Sequence, residues 1–265
     1  MLVIAAPGVG KTTWAATAPD AAIAACETGV GSGLLTLAHN PNVLAVVPTT
    51  FVDLRSVAYD TFLPFQKKQT RVLDSLTAMT KSFVKDYVLS AFQPRNQKEA
   101  ARRQAGILTG FDYSDQADTV RTLLTKFLSI NAHIIVTALP KAEKDSDGNV
   151  ISILPDLPGA LAMGAPAMFD SVLHLKTRKI LRDPKDPKSA YVERYFITGS
   201  DNMHVAKDRN SIAGRSFLDH EEIFVPPDPK TGFEGRGTFP QLYAKILAGH
   251  SAASGTAVNS GTTKG

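Results

Sequence analysis

A glycine-rich loop with the sequence AAPGVGKTT occupies residues 5–13, directly after the apolar stretch Leu2–Ile4. This spacing is that of a phosphate-binding loop, GxxxxGK(S/T), with Ala5 at the position of the first glycine. Glycine lets the backbone approach phosphates at places where a Cβ atom would obstruct it. The pattern predicts a strand, a loop and a helix that bind nucleotide phosphates through Pro7, Gly8, Val9, Gly10, Lys11, Thr12 and Thr13.

Two side chains of this loop have distinct predicted roles. Lys11 is expected to contact the β and γ phosphates as a point charge, and Thr12 to place its hydroxyl on Mg²⁺. The first N–H groups of the helix then receive phosphate oxygens, helped by the helix dipole. The alternative is an ordinary glycine turn before a helix, but such a turn does not require a Gly-Lys-Thr triplet. We therefore expect ATP and Mg²⁺ as cofactors.

Two carboxylates follow predicted strands and complete a predicted hydrolytic site. Asp74 ends the apolar stretch 71–73 and is expected to hold the Mg²⁺ shell, with a plain helix N-cap as the alternative. Glu27 follows the stretch 21–26 and precedes glycines at 29, 31 and 33. It is expected to orient or deprotonate the attacking water, with a surface glutamate in a turn as the alternative.

The elements around these residues alternate between strands and helices. Strand-like stretches are predicted at 21–26, 43–47, 71–73 and 133–138, and helical spacing at 75–91 and 114–130. This alternation predicts an α/β fold with a mostly parallel central sheet flanked by helices.

The second half of the chain has a different pattern. Stretches 150–154, 171–175 and 191–198 are strand-like and separated by Pro, Gly and charged residues, which predicts antiparallel strands added to the sheet. A short helix is expected at 241–247. Residues 249–265 are almost all Gly, Ala, Ser and Thr and are expected to form a disordered tail. We thus predict one domain over residues 1–248.

Composition limits the class of protein. The 265 residues are 43% hydrophobic and 20% charged, enough for one substantial core. No apolar stretch approaches the length of about 20 residues that a membrane span needs, and no secretory leader is visible. The single cysteine, Cys26, cannot form an internal disulfide. We expect a soluble, cytoplasmic protein without membrane contact. The net charge of +4 is mild, but basic residues cluster at 98–103 and 176–188, which makes nucleic acid a candidate partner. The second cluster lies among prolines that indicate a loop or hairpin.

The order of these parts resembles that of the RecA-like ATPases. More narrowly, the chain resembles the phage-encoded, core-only RecA-like ATPases of the Sak recombinase type, which assist single-strand annealing. The resemblance extends from residue 1 to about 215, and the phosphate loop is its most specific part. It is carried by APGVGKTT at 6–13, CETG at 26–29, LDSLT at 73–77, FDY at 111–113, IIVTA at 134–138, LPG at 157–159, FD at 169–170 and AKDR at 206–209.

This resemblance implies a RecA-like P-loop ATPase that assembles into a homo-oligomeric ring or filament and acts on single-stranded DNA in phage-type recombination, annealing or replication. It also implies a phage single-strand-binding or annealing protein as a further partner, and the host cytoplasm as the location. In such assemblies basic residues of one subunit reach the γ-phosphate held by the next, and Lys207 and Arg209 are the matching positions here. The alternative is a solvated turn in which Asp208 pairs with these cations.

The chain departs from the family pattern at the end of the strand around Thr137. Leu139 stands where a polar sensor of the γ-phosphate is usual, so the resemblance does not extend to the residue that couples nucleotide to DNA. Contacts with DNA phosphates are predicted from the stretches 93–110 and 141–159, with Phe92 or Phe111 stacking on a base. The alternative is a solvated helix face. The predicted phosphate contacts are Arg95, Lys98, Arg102 and Arg103.

Two other function classes remain open from the sequence. A small-molecule or nucleotide kinase shares the phosphate loop but needs a lid with arginines over the acceptor, and no such lid is evident. The second class is a binding module, in which bound nucleotide orders the subunit but is not hydrolysed.

Overall fold

The computed structural model describes residues 1–27, 40, 43–183, 185–201, 203–208, 218–228, 230–231 and 233–257. Within these residues a nine-stranded sheet has the order β11-β9-β8-β1-β5-β4-β2-β3, with β10 pairing beside β8, and β6 and β7 form a separate hairpin. The strands are β1 Leu2–Ile4, β2 Ala21–Ala25, β3 Leu44–Val46, β4 Thr70–Asp74, β5 His133–Ala138, β6 Pro140–Lys144, β7 Val150–Pro155, β8 Ser171–Leu181, β9 Ala190–Ile197, β10 Lys207–Asp208 and β11 Glu221–Phe224.

Helices connect the parallel strands and cover both faces of the sheet. They are α1 Lys11–Ala15, α2 Phe51–Ala58, α3 Leu63–Gln66, α4 Leu76–Met79, α5 Lys85–Ala91, α6 Gln97–Gln104, α7 Gly110–Leu128, α8 Ala160–Gly164 and α9 Phe239–Ala257. A π-helical turn, Thr80–Val84, joins α4 to α5, and Gln116 on α7 donates a hydrogen bond of 2.8 Å to the Thr80 carbonyl.

The predicted α/β class is confirmed: this is a RecA-like fold with a mostly parallel sheet and antiparallel strands in its C-terminal half. The strands β3, β2, β4, β5, β1 and β8 run parallel to one another, whereas β9 and β10 pair antiparallel with β8, and β11 pairs antiparallel with β9. The order brings β1 between β5 and β8, so the end of β1 lies in the middle of the sheet. Ligands bind such sheets at the carboxyl ends of the parallel strands.

The strand β8 is much longer than the predicted stretch 171–175, because it continues to Leu181 as an amphipathic ribbon with β9. Its register with β1 pairs Ile4 with His174, so the seven residues after His174 extend past the end of β1. The paired strands β8 and β9 therefore form a wall beside the predicted phosphate loop.

Two apolar clusters hold the sheet between its covering elements. On one face Leu2, Ile4 and Val136 pack against Leu124 of α7. On the other face Val3 packs in a cluster with Trp14, Phe196, Phe224 and Phe239. Trp14, fully buried on α1, contacts Phe196 edge-to-face at 5.1 Å between ring centroids and donates a 3.0 Å hydrogen bond to the Gly237 carbonyl. The C-terminal strands thus fix the helix that follows the loop.

The C-terminal segment differs from its prediction. Helix α9 runs from Phe239 to Ala257, beyond the expected helix at 241–247 and into the expected tail, and residues 258–265 lie outside the described part. Alanine has the highest helix propensity, and each residue added to an existing helix gains a backbone hydrogen bond. None of the described helices is both long and apolar enough to cross a membrane.

Candidate nucleotide site

The loop between β1 and α1 has the backbone that its glycines permit. Gly8 and Gly10 have φ values of 75° and 109°, in the left-handed region that favours glycine, and Gly10 is the N-cap of α1. Ala5 donates its N–H to the Ala138 carbonyl at 3.0 Å, which fixes the start of the loop on β5. The loop therefore turns back at the carboxyl end of β1, as predicted.

Lys11 is folded over the loop that contains it. Its Nζ donates to the carbonyls of Ala5 at 3.0 Å and Ala6 at 3.2 Å, and the residue is only 7% exposed. Burial lowers the pKa of Lys11, while the negative charges of Asp74 and Glu27 oppose that shift. The ammonium is thus held at the loop near both predicted carboxylates, where a phosphate can replace the carbonyls as its partner.

Asp74 is brought directly to the loop by the strand order. The Thr12 hydroxyl donates to Asp74 Oδ2 at 2.5 Å, and the Thr137 hydroxyl donates to Asp74 Oδ1. The carboxylate is 5% exposed and closes β4 at the same edge as the loop. The helix N-cap is Ser75 instead, because its hydroxyl accepts the N–H of Ala78 at 3.3 Å. The alternative of Asp74 as a plain N-cap is thus not what the structure contains.

These groups fit Mg²⁺. Magnesium prefers oxygen ligands and usually keeps one or two protein ligands with phosphates and waters completing the shell. The hydroxyl of Thr12 and the carboxylate of Asp74 lie within hydrogen-bond distance, so both can reach one cation. In the part of the chain that the structure describes, no group of three or more His, Cys, Asp or Glu side chains is placed to bind a metal by itself.

Glu27 lies one strand away from Asp74. Strands β2 and β4 pair Ala25 with Asp74, and the N–H of Cys26 donates to the Asp74 carbonyl at 2.6 Å. Glu27 directly follows Cys26, and its negative charge raises the pKa of Lys11 against the larger lowering by burial. The glycines at 29, 31 and 33 lie outside the described residues. The predicted water-activating carboxylate therefore shares the sheet edge with the loop.

Neither the last residue of β5, Ala138, nor the following Leu139 has a polar side chain. The Leu139 N–H donates to Thr77 Oγ1 at 3.0 Å, and the β6–β7 hairpin begins at the next residue. Thr77 thus satisfies the backbone at the place where the family pattern has a sensor. Thr137, two residues earlier, is the polar group that β5 supplies, through Asp74.

Of the two basic residues expected to reach a neighbouring subunit, Lys207 and Arg209, the structure describes Lys207. Lys207 lies on β10 and pairs with Val172, which in turn is level with Leu2 at the start of β1. Lys207 is therefore level with the first residue of β1, whereas the phosphate loop of the same subunit follows the other end of that strand. Arg209 lies outside the described residues. Contact of Lys207 or Arg209 with a neighbouring subunit's phosphate stays a prediction.

Three of the four predicted DNA contacts share one exposed surface. Arg95 places its guanidinium 3.7 Å from the centre of the Phe111 ring, which is 56% exposed. Lys98 and Arg102 are exposed on α6 and, with Phe111, line a cavity of about 390 Å³. We call this surface, formed by Arg95, Lys98, Arg102 and Phe111, the basic aromatic surface.

The prediction that Arg103 contacts DNA phosphates is wrong. Its guanidinium donates to Asp112 and to the Phe92 carbonyl, and to Glu99 at 3.3 Å, and 7% of its side chain is exposed. A cation with two buried carboxylates as partners is not available to DNA phosphates, because removing it would leave those charges unpaired. Arg103 instead holds α6 on the N-terminal turn of α7.

Arg194 is a contact of the loop that the sequence did not reveal. Its Nε donates to the Val9 carbonyl at 2.9 Å across 185 residues of sequence. Nothing in the local pattern of β9 distinguishes it from other cations of the β8–β9 ribbon. Only the pairing of strands places it beside the loop.

The fold and this arrangement define a P-loop NTPase of the RecA-like class. The chain belongs to the AAA domain family, whose sequence model matches residues 1–210. A search among curated proteins finds no match.

The solved structures that are similar to the chain include two archaeal proteins. The flagellar accessory protein FlaH from Methanocaldococcus jannaschii has 12% identity and a TM-score of 0.42, with 89% of this chain and 88% of that chain covered. A KaiC-like protein from Pyrococcus horikoshii OT3 has 12% identity and a TM-score of 0.38, with 84% and 83% covered.

Proposed function

We propose that this protein hydrolyses ATP with Mg²⁺ and couples that reaction to single-stranded DNA in phage-type recombination, annealing or replication. The observation that carries the proposal is the convergence of Lys11, Thr12, Glu27 and Asp74 at the carboxyl edge of the sheet. A loop built only to turn the chain has no need for a buried ammonium and two carboxylates beside it.

The chemistry follows from these positions. The loop N–H groups and Lys11 bind the β and γ phosphates, and Glu27 accepts a proton from a water molecule as that water attacks the γ-phosphorus. The bond from the γ-phosphorus to the bridging oxygen breaks, and ADP leaves with the electron pair. Mg²⁺, when held by Thr12 and Asp74, supplies charge neutralisation on the phosphate oxygens.

The basic aromatic surface supports the DNA part of the proposal. Exposed Arg95, Lys98 and Arg102 can neutralise phosphates without reading sequence, and Phe111 offers an exposed ring for stacking. The buried pairing of Arg103 with Asp112 fixes α6 on α7, so the cations are presented on a rigid support.

Assembly into a ring or filament is the second part of the proposal. Lys207 lies away from its own loop, and the proposed role is at the γ-phosphate of an adjacent subunit, together with Arg209. At an effective dielectric of 20, a cation about 4 Å from a phosphate charge contributes roughly 4 kcal/mol, enough to link hydrolysis to assembly.

A nucleotide-ordered binding module is the second candidate. It is favoured by Leu139, because a residue without a polar side chain at the end of β5 cannot report the γ-phosphate to the hairpin that follows. A binding module of this kind binds nucleotide tightly without hydrolysing it, and Glu27→Gln leaves that binding unchanged.

The test is the rate of ATP hydrolysis with Mg²⁺, with and without single-stranded DNA, using Lys11→Ala as the blank. Stimulation by DNA supports the full proposal. Turnover that DNA leaves unchanged, or phosphate transfer to a small acceptor, contradicts the DNA role and favours a kinase. Tight binding without turnover favours the binding module.

A further inference from the structure

Arg194 and Gly10 form a close contact between the antiparallel half of the sheet and the phosphate loop. Arg194 lies on β9, opposite Phe224 of β11, and its Nε–H donates to the Val9 carbonyl at 2.9 Å. A Cβ atom on Gly10 would come within 3.3 Å of that Nε. The missing side chain of Gly10 therefore leaves room for the Arg194 side chain as well as for phosphate.

Val9 is also held through its side chain. The Val9 side chain is 8% exposed and packs in the cluster that contains Phe196 and Phe224. Its side chain is thus anchored in the aromatic cluster, and its carbonyl on Arg194. Since a buried or partly buried carbonyl needs a donor, the guanidinium fixes the orientation of the Val9–Gly10 peptide plane.

The orientation of that peptide matters for phosphate binding. In a trans peptide the C=O and the following N–H point in opposite directions within one rigid plane, so a Val9 carbonyl held by Arg194 directs the Gly10 N–H the other way. Phosphate-binding loops work by directing such N–H groups at one point. We propose that Arg194 is a positioning residue of the phosphate loop, holding the Val9–Gly10 peptide in the orientation that binds the nucleotide.

This inference rests on the proposed nucleotide site and deepens it. It concerns a hydrogen bond rather than a charge, and the two can be separated by substitution. In Arg194→Gln the side-chain nitrogen follows the same number of bonds from Cα as the arginine Nε, so the donor is kept and the charge is lost. In Arg194→Lys the charge is kept, but a methylene group replaces the donor.

The first measurement is amide hydrogen exchange of residues 5–13 in the nucleotide-free full chain. We expect exchange roughly tenfold faster in Arg194→Ala and Arg194→Lys, the size of effect that loss of one hydrogen bond gives, and close to that of the unaltered protein in Arg194→Gln. Arg182→Gln is the matched control, because Arg182 directly follows β8 and places its guanidinium over the Tyr191 ring. Thermal melting of each variant checks that it is folded.

The second measurement is the affinity for a fluorescent ADP analogue, which should weaken roughly tenfold in Arg194→Ala and Arg194→Lys and little in Arg194→Gln. Unchanged loop exchange in Arg194→Ala overturns the inference. So does the reverse ranking, with lysine as good as arginine and glutamine as poor as alanine, since that ranking identifies a charge effect. Loop exchange needs no nucleotide, so it decides this inference even if ATP turnover is absent and the proposed function fails.

Discussion

The hydroxyl of Thr12 donates a 2.5 Å hydrogen bond to the carboxylate of Asp74, although 62 residues separate them in sequence. The other oxygen of the same carboxylate accepts the hydroxyl of Thr137. One buried carboxylate thus joins the loop after β1 to the ends of β4 and β5. The local patterns around Thr12 and Asp74 predicted each residue's role, and the strand order brings them together.

Loss of the Lys11 ammonium should abolish ATP turnover without unfolding the protein. Lys11→Ala removes the cation expected to reach the β and γ phosphates, and within the described part of the chain the Lys11 ammonium donates to the carbonyls of Ala5 and Ala6 in the loop itself. We expect phosphate release to fall at least a hundredfold, consistent with the loss of a charged phosphate contact. Exposed Lys67→Ala is the matched control. Retained turnover in Lys11→Ala would remove the loop from the mechanism.

Asp74→Asn should raise the Mg²⁺ concentration that the reaction requires. Asparagine keeps one oxygen acceptor for the threonine hydroxyls but loses the negative charge that attracts the cation. We expect a shift of at least tenfold in the Mg²⁺ concentration for half-maximal hydrolysis, with a fold unchanged by circular dichroism. Glu27→Gln should lower the maximal rate and leave this concentration nearly unchanged. Equal Mg²⁺ dependence in Asp74→Asn and the unaltered protein would contradict the assignment.

Much of the parallel sheet was predictable because its signals are local. The apolar stretch before Gly8, the loop spacing and the helical periodicity after residue 114 each depend on neighbouring residues alone. The strand predicted at 171–175 is shorter than β8, because the basic residues and prolines at 176–188 indicated a loop or hairpin; the structure has the hairpin, in which β8 continues to Leu181. That ribbon is stabilised by cross-strand pairs that only the partner strand reveals, such as Arg178 with Glu193 at 2.7 Å.

The site was less predictable where partners are distant in sequence. Arg103 was expected on DNA because a cation in a basic cluster looks available, yet Asp112 and Glu99 bind it. Arg194 carried no signal at all, since its partner is a backbone carbonyl 185 residues away. Both misses have the same physical cause: a sequence gives the charge of a side chain but not what that side chain contacts.

Single-stranded DNA binding should weaken when the basic aromatic surface is altered, in two distinguishable ways. For Lys98→Ala or Arg102→Ala we expect the salt dependence of log K to fall by roughly 0.7 per lost phosphate contact. For Phe111→Ala we expect a loss of roughly 1–3 kcal/mol with an unchanged salt slope, since stacking is lost and not charge. Fluorescence anisotropy with a labelled oligonucleotide at several salt concentrations measures both. Equal affinities and slopes in these variants and Lys67→Ala would place DNA elsewhere.

Mixing two inactive variants should restore activity if subunits share a site. Lys207→Ala lacks the proposed trans cation, and Glu27→Gln lacks the proposed base, so a mixed assembly contains some sites with both groups intact. We expect each variant alone to be inactive and an equimolar mixture to regain a measurable fraction of the ATP hydrolysis rate. Affinity capture of one tagged variant, followed by detection of the untagged one, shows whether the variants co-assemble. Co-assembly without recovered activity would contradict the trans role of Lys207.

Stability should fall with acidity through the buried imidazole of His174. Burial, and next the neighbouring charge of His204, lower the pKa of His174 from its ordinary 6.5 to about 4, and the residue is 2% exposed. The unfolded chain therefore binds this proton below pH 6.5 whereas the folded one does not until about pH 4. The contribution is complete above pH 6.5 and is lost as the pH falls towards 4, by about 3 kcal/mol in all. Lys176 and Asp201 are the other charged groups around this pair.

Chemical denaturation of the unaltered protein and His174→Gln between pH 7 and 4.5 measures this contribution. The variant should start less stable, because the contact of the imidazole with the Val205 carbonyl at 3.4 Å is altered, but lose less stability on acidification. His220→Gln is the matched control, since His220 is an exposed histidine. Parallel pH profiles for the unaltered protein and His174→Gln would mean that another group unfolds the protein in acid.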